Sequence, residues 1–185
     1  MNQINVKKPY LLYVGNAFPH KNIKRLIKAF EVILRSKPSI KLVLVGKIDN
    51  FYKSFYILCK ELKIEKNVVF TGKVLDEELK WLYQNASIYV FPSFLEGFGL
   101  PGLEAMENGL PVVSSDSSCL TEIYGDAALY FNPQNIEEIV KAVLELLDNK
   151  ELREKLIKKG YKRVKKFSWR KCAQETLEIY RSVLS

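Results

Sequence analysis

The segment Phe91 to Met106, FPSFLEGFGLPGLEAM, leaves an apolar run, crosses two glycines and enters what reads as a helix. Gly97 and Gly99 permit a ligand to approach the backbone closely, and Pro101 suits a first helical turn. The free amides of such a turn can cradle a diphosphate or sugar hydroxyls. Glu96 and Glu104 flank the turn with seven residues between them. A carboxylate is a strong acceptor for paired hydroxyls, so one can hold a sugar and the other a ribose. The plainer reading makes Glu104 a stabiliser of the first helical turn and Glu96 a solvated loop acid. A second segment, GNAFPHKN from Gly15 to Asn22, puts His20 and Lys21 at the start of a helix, where the macrodipole disfavours positive charge. That conflict suggests an anionic ligand held by Lys21 as a point charge; a solvated surface lysine is the alternative.

These segments need a scaffold that brings them together. Tyr10 to Gly15 and Lys41 to Gly46 are nearly unbroken apolar runs ending in glycine, which suits strands covered on both faces of a parallel sheet. Between them Ile23, Leu26, Ile27, Phe30, Ile33 and Leu34 hold the spacing of an amphipathic helix. The alternation continues with a helix near Phe51 to Leu62, a strand at Asn67 to Thr71, a helix from Asp76 to Gln84 and a strand at Ser87 to Phe91. A helix from about Pro101 to Asn108 leads to strands at Pro111 to Ser114 and near Ala127 to Tyr130, then a helix from Ile136 to Leu147. Beyond Asp148 only helices are predicted, Lys150 to Lys166 and Ser168 to Val183, with Ser168 as N-cap. The expected fold class is α/β, a doubly wound parallel sheet in one domain over residues 1–185, with 150–185 as a C-terminal helical segment. Ligands of open parallel sheets collect beyond the carboxyl ends of strands, so the loops after Gly15, Gly46, Thr71 and Phe91 are the places to search.

Composition narrows the partners without choosing one. A chain of 185 residues, 48% hydrophobic and 27% charged, is ordinary for a globular domain and buries roughly 70% of its unfolded surface. The net charge of +8 favours anionic partners: nucleotide phosphates, anionic lipid or nucleic acid. Cys59, Cys119 and Cys172 form no CxxC pair, which argues against a disulfide framework or zinc site and for a reducing cytoplasm. The start, MNQINVKKPYLLYVG, has too short an apolar run for a signal peptide, and nowhere is there a run of the roughly 20 apolar residues that span a membrane.

With these residues in view, EGFGLPGLEAMENGLPVV resembles the signature of the retaining family-4 glycosyltransferases of the GT-B fold, with its Glu, seven residues, Glu spacing. Supporting pieces follow in the family's order from about Pro9 to Leu184: YVGNAFPHKN, LVLVG, VVFTGKV, LYQNAS, SSCLTEIYGDAALYFNP and FSWRKCAQETLEIYRSVL. The resemblance implies a Rossmann-like, donor-binding C-terminal half of a two-domain enzyme. It places Lys21 on a diphosphate, Glu96 on sugar hydroxyls, Glu104 on a ribose, and the amides from Gly97 through Phe98 and Gly99 to Leu100 around the donor. Thr71, Gly72 and Val74 would face the base, beside the glycine-ended strands at Gly15 and Gly46. Relatives often carry arginine where Asn16 stands, so one positive charge is missing or supplied elsewhere, His20 being the candidate. The implied chemistry is retaining transfer from a nucleoside diphosphate sugar, GDP-mannose or a related donor, to a saccharide or lipid-linked acceptor. No metal or other cofactor is expected, and there is no DxD pair. The acceptor site would lie on an N-terminal domain outside this chain, leaving the isolated chain inactive. Alternatives are a nucleotide-sugar binding module without transfer activity and a nucleotide-sugar epimerase of related fold.

The other motifs carry less. Lys158 to Lys171, KKGYKRVKKFSWRK, suits anionic headgroups at the inner face of a membrane, although a solvated helix face is the commoner meaning of such a run and no nucleic-acid motif accompanies it. His20 is the sole histidine, which rules out a histidine cluster within this chain. The serines Ser114 to Ser118 lack a nucleophile elbow, Cys119 reads as packing, and Tyr52, Phe55 and Tyr56 read as a helix face. Trp169, Ile179, Tyr180 and Val183 on the last helix would pack toward the second domain.

Overall fold

A computed structural model describes residues 6–184; residues 1–5, part of the predicted single domain and of its charged start, lie outside the described residues, as does 185. Six strands form one sheet: β1 (Tyr10–Val14), β2 (Lys41–Val45), β3 (Val68–Gly72), β4 (Ile88–Phe91), β5 (Val112–Ser115) and β6 (Ala128–Phe131). Their order is β3-β2-β1-β4-β5-β6 and every pairing is parallel. The chain builds outward from β1 to β3, then returns to build the other half from β4. The point of reversal lies between β1 and β4, which pair Leu11 with Ile88 and Leu12 with Tyr89. Neighbouring loops diverge there, so a crevice opens at the carboxyl ends of these two strands.

The connecting helices are α1 (Ile23–Ser36), α2 (Asn50–Glu61), α3 (Asp76–Asn85), α4 (Leu100–Glu107), a short α5 (Leu120–Tyr124) and α6 (Ile136–Asp148). α1 buries Ile23, Leu26, Ile27, Phe30 and Ile33, the stripe its spacing predicts, and packs on α6. Side-chain caps fix two starts: Asp49 accepts from the amides of Phe51 and Tyr52, and Asn135 from those of Glu137 and Glu138. Of the aromatic trio on α2, Tyr52 alone is fully buried; Tyr56 lies half in solvent beneath the Lys60 ammonium.

Two helices close the domain. α7 (Lys150–Val164) packs on α4, with Gly160 fitting against Met106. α8 (Trp169–Leu184) follows Ser168, whose hydroxyl accepts from the Lys171 amide, and buries no side chain among the described residues. Trp169, Tyr180 and Val183 are 78%, 64% and 79% exposed, so its apolar side has no cover among the described residues. No helix among the described residues is long and apolar enough to cross a membrane.

Candidate functional site

The two chemically suggestive segments meet at the crevice between β1 and β4. The loop after β1 runs through a 3-10 turn, Pro19–Lys21, before α1 begins at Ile23. His20 and Lys21 therefore stand in the tight turn that leads directly into α1. Asn22 separates the two elements in a left-handed conformation, φ 58°. From there Lys21 reaches across the crevice, its Nζ 2.7 and 2.8 Å from the two oxygens of Glu96. The side chains are only 15% and 9% exposed, so neither the solvated lysine nor the solvated loop acid is realised.

Glu96 is held from behind by the loop after β5. The Ser118 hydroxyl donates to the Glu96 carbonyl at 2.8 Å and Cys119 Sγ approaches the same oxygen at 3.3 Å. In the other direction the Glu96 amide reaches the Ser118 oxygen at 3.4 Å. The amides of Gly97, Phe98 and Gly99 donate to no protein acceptor among the described residues. They sit directly before α4, where the dipole favours an anion.

A layer of tyrosines underlies these loops, and its hydroxyls fix their carbonyls. Tyr13 donates to the Asn16 carbonyl at 2.8 Å, Tyr52 to Gly15 at 2.9 Å, Tyr89 to Val14 at 3.3 Å and Tyr124 to Gly99 at 2.7 Å. Burial pushes the hydroxyl pKa of Tyr13, Tyr89 and Tyr124 well above the usual phenol value; the Glu96 charge adds to it at Tyr13 and Tyr124. These groups stay protonated donors, so the clamps do not titrate near neutral pH.

Gly15, Lys21, Glu96, Phe98, Gly99 and Leu100 line one cleft of about 260 Å³, together with Tyr13 and Pro101. The other predicted site residues lie around it. Asn16 is exposed and turns its side-chain oxygen onto the Phe18 amide at 3.3 Å. His20 is exposed beside Phe18 and does not line the cleft, so the suggested stand-in for arginine is not positioned there. Gly46 supports the site from beneath: a Cβ there would lie 2.0 Å from the Gly15 carbonyl oxygen. Thr71 and Gly72 end β3 one strand further out and Val74 lies just beyond it, with Thr71 Oγ1 bonded to the Gly72 carbonyl at 2.9 Å. Gly97 is open, with nothing within 4 Å of where a Cβ would stand. Glu104 is the fifth residue of α4 and not in its first turn, so the helix-start reading fails; its Oε2 accepts from Tyr83 at 2.9 Å.

One residue that sequence reasoning passed over joins three segments. Asn22 is 3% exposed, and its Nδ2 donates to the carbonyls of Pro92 at 2.9 Å and Pro133 at 2.8 Å. It ties the Lys21 turn to the Glu96 loop. Asn22→Ala leaves two buried carbonyls unpaired and puts alanine in a left-handed conformation, an expected cost of about 3 kcal/mol. Calorimetric melting should register a fall of about 6–12 °C.

A second concavity lies on the outer side of α7, between Glu151, Glu154, Lys155, Lys158, Lys159 and Lys162. It is a groove among long charged chains of a single helix and contains none of the site residues.

The family described as Glycosyl transferases group 1 matches residues 1–163. The O-antigen chain mannosyltransferase B of Escherichia coli is 36% identical over 93% of this chain, and the chain spans 45% of that relative's length. The sucrose-phosphate synthase of Thermosynechococcus elongatus superimposes with a TM-score of 0.84 at 30% identity, over 95% of this chain and 45% of that one. The C-terminal domain of a glycosyl transferase group 1 family protein from Francisella tularensis is 26% identical, with a TM-score of 0.76 over 86% of this chain and 85% of that domain. With a six-stranded parallel sheet of the GT-B type and a family match over most of its length, the chain belongs to the group 1 glycosyl transferases.

Proposed function

We propose that this chain is the donor-binding half of a retaining glycosyltransferase that moves a hexose, mannose in the first instance, from a nucleoside diphosphate to a saccharide or lipid-linked acceptor. The observation that carries the proposal is the Lys21–Glu96 pair, joined at 2.7 Å across the crevice where β1 and β4 diverge, beside three amides without protein partners. Lys21 and those amides suit the two negative phosphates of the donor; Glu96 suits the hydroxyls of its sugar. As the glycosidic bond lengthens, charge grows on the leaving diphosphate. Fixed donors aimed at that position lower the barrier without reorganising. The acceptor hydroxyl then attacks from the face that the diphosphate leaves: its oxygen bonds to the anomeric carbon as the bond to the diphosphate breaks, and its proton passes to the departing phosphate oxygen.

The mannose assignment leans on the mannosyltransferase relative, and acceptor binding is assigned to a second domain. In support, the cleft of about 260 Å³ is smaller than the roughly 300–1,000 Å³ typical of complete ligand pockets. The uncovered apolar residues of α8 suit contact with such a domain. The lysine-rich side of α7 suits contact with an anionic membrane surface.

Calorimetric titration with UDP, GDP and GDP-mannose tests the binding half of the proposal. A Kd between micromolar and millimolar for one base, with tighter binding of the sugar-bearing form, is expected. Binding of no nucleoside diphosphate contradicts it. For a protein in which this chain is joined to its acceptor-binding half, NMR of the product should show the donor's anomeric configuration; an inverted product, or an epimerised free donor, rejects retaining transfer.

A further inference from the structure

We propose that Tyr83 is a positioning residue that aims Glu104, and that the pair selects a ribonucleoside diphosphate over its deoxy counterpart. The inference rests on the proposed donor-binding function, and specifically on a ribose as the ligand of Glu104.

The geometry starts from α4. Leu100 and Pro101 line the cleft, and Glu104 stands four and three residues further on, on the same side of the helix. Leu103, Ala105 and Met106 are buried and fix the helix itself. The Glu104 carboxylate, in contrast, is on an exposed residue with three rotatable bonds, and an unheld chain of that kind samples several rotamers. Tyr83 removes that freedom. Its ring, on α3, is 3% exposed and lies against Tyr89 of β4 at 5.9 Å. Its hydroxyl donates to Glu104 Oε2 at 2.9 Å.

Only one carboxylate oxygen is taken in this way. Among the described residues no donor bonds Oε1, so that oxygen is held in a set direction with its lone pairs available to a ligand hydroxyl. The donor is also secure: burial, and then the Glu104 charge, drive the Tyr83 hydroxyl pKa far above the usual phenol value, so it keeps its proton at any physiological pH. A carboxylate presented like this rewards a ligand that supplies a hydroxyl and is left with an unmet acceptor by one that does not.

A tyrosine that merely satisfied its own buried hydroxyl would affect all ligands alike, which gives the test its form. Dissociation constants are measured for UDP and GDP, for their 2′,3′-dideoxy counterparts and for inorganic pyrophosphate, on the wild-type chain, Tyr83→Phe, Glu104→Asp and the double variant. The wild type is expected to prefer the ribonucleotide by about tenfold. Tyr83→Phe, which keeps the ring and the packing, should narrow that preference to about twofold and leave pyrophosphate affinity unchanged. Glu104→Asp withdraws the carboxylate from Tyr83 by one methylene and should narrow it equally, with no further loss in the double variant. A Tyr83→Phe chain that keeps the full preference, or that loses affinity for pyrophosphate and both nucleotides in parallel, overturns the role of Tyr83. A wild type indifferent to the ribose hydroxyls overturns the ribose reading of Glu104 itself.

Discussion

Lys21→Met is expected to weaken binding of the nucleoside diphosphate about 100-fold, because it removes a charged donor worth roughly 1.5–3 kcal/mol to a phosphate oxygen. It should also destabilise the fold. Lys21 Nζ lies within 2.8 Å of both Glu96 oxygens, and the two side chains are 15% and 9% exposed. Removing the lysine leaves a largely buried carboxylate without its cation. Full burial would cost roughly 3–5 kcal/mol; the residual exposure lowers the expectation to about 2 kcal/mol. For a chain of this length that corresponds to a melting temperature lower by about 4–8 °C. Pairing Lys21→Met with Glu96→Gln should recover most of the stability, since no unpaired charge remains, and none of the affinity. Melting curves and titration on the same samples separate the two effects. An unchanged affinity in Lys21→Met would show that the lysine serves the fold alone.

Two glycines separated by a single residue are expected to respond in different ways. Gly99 has φ +93°, and a Cβ there would lie 2.5 Å from the Tyr124 hydroxyl and 2.7 Å from Leu120 Cδ2. Gly99→Ala combines left-handed strain with overpacking, an expected loss of about 3 kcal/mol. At Gly97 the same methyl would meet nothing within 4 Å. Gly97→Ala should leave stability within about 0.5 kcal/mol of the wild type. Its methyl would nevertheless occupy space beside the unpartnered amides, so donor affinity should fall about tenfold. Chemical denaturation checks the first outcome and titration the second. A Gly97→Ala chain that binds donor normally would mean that the ligand does not approach this part of the loop.

The alternation of strand and helix was legible because a parallel sheet covered on both faces leaves apolar runs such as YLLYV and KLVLV, and because α1 repeats its apolar residues at helical spacing. The Glu96 and Glu104 spacing and Lys21 at a helix start stood out as candidate chemistry for a related reason: charges and glycines at strand ends break local expectations. What the sequence did not disclose depends on long-range contacts. Lys21 and Glu96 are 75 residues apart, and nothing local states that they pair. Nothing local marks the roles of Tyr13, Tyr52, Tyr89 and Tyr124, because their hydroxyls find carbonyls only once the strands are assembled. Asn22 looked like the end of a loop motif, and its two carbonyl partners lie 70 and 111 residues away. The five-residue α5 is too short to display a period, so the Ser118 latch on Glu96 stayed hidden with it. A helix that starts near Pro101, as the sequence suggests, puts Glu104 in its first turn; α4 begins at Leu100 and Glu104 is its fifth residue.

We propose above all that a nucleoside diphosphate is held where β1 and β4 diverge, by the Lys21 turn and the amides before α4. Amide hydrogen exchange of the chain with and without saturating GDP or UDP tests it most directly. Slowed exchange is expected at residues 97–103 and around Gly15 and Lys21, with no change along the lysine-lined side of α7. Slowing confined to the α7 residues 155–162, or none at residues 97–103, would contradict it.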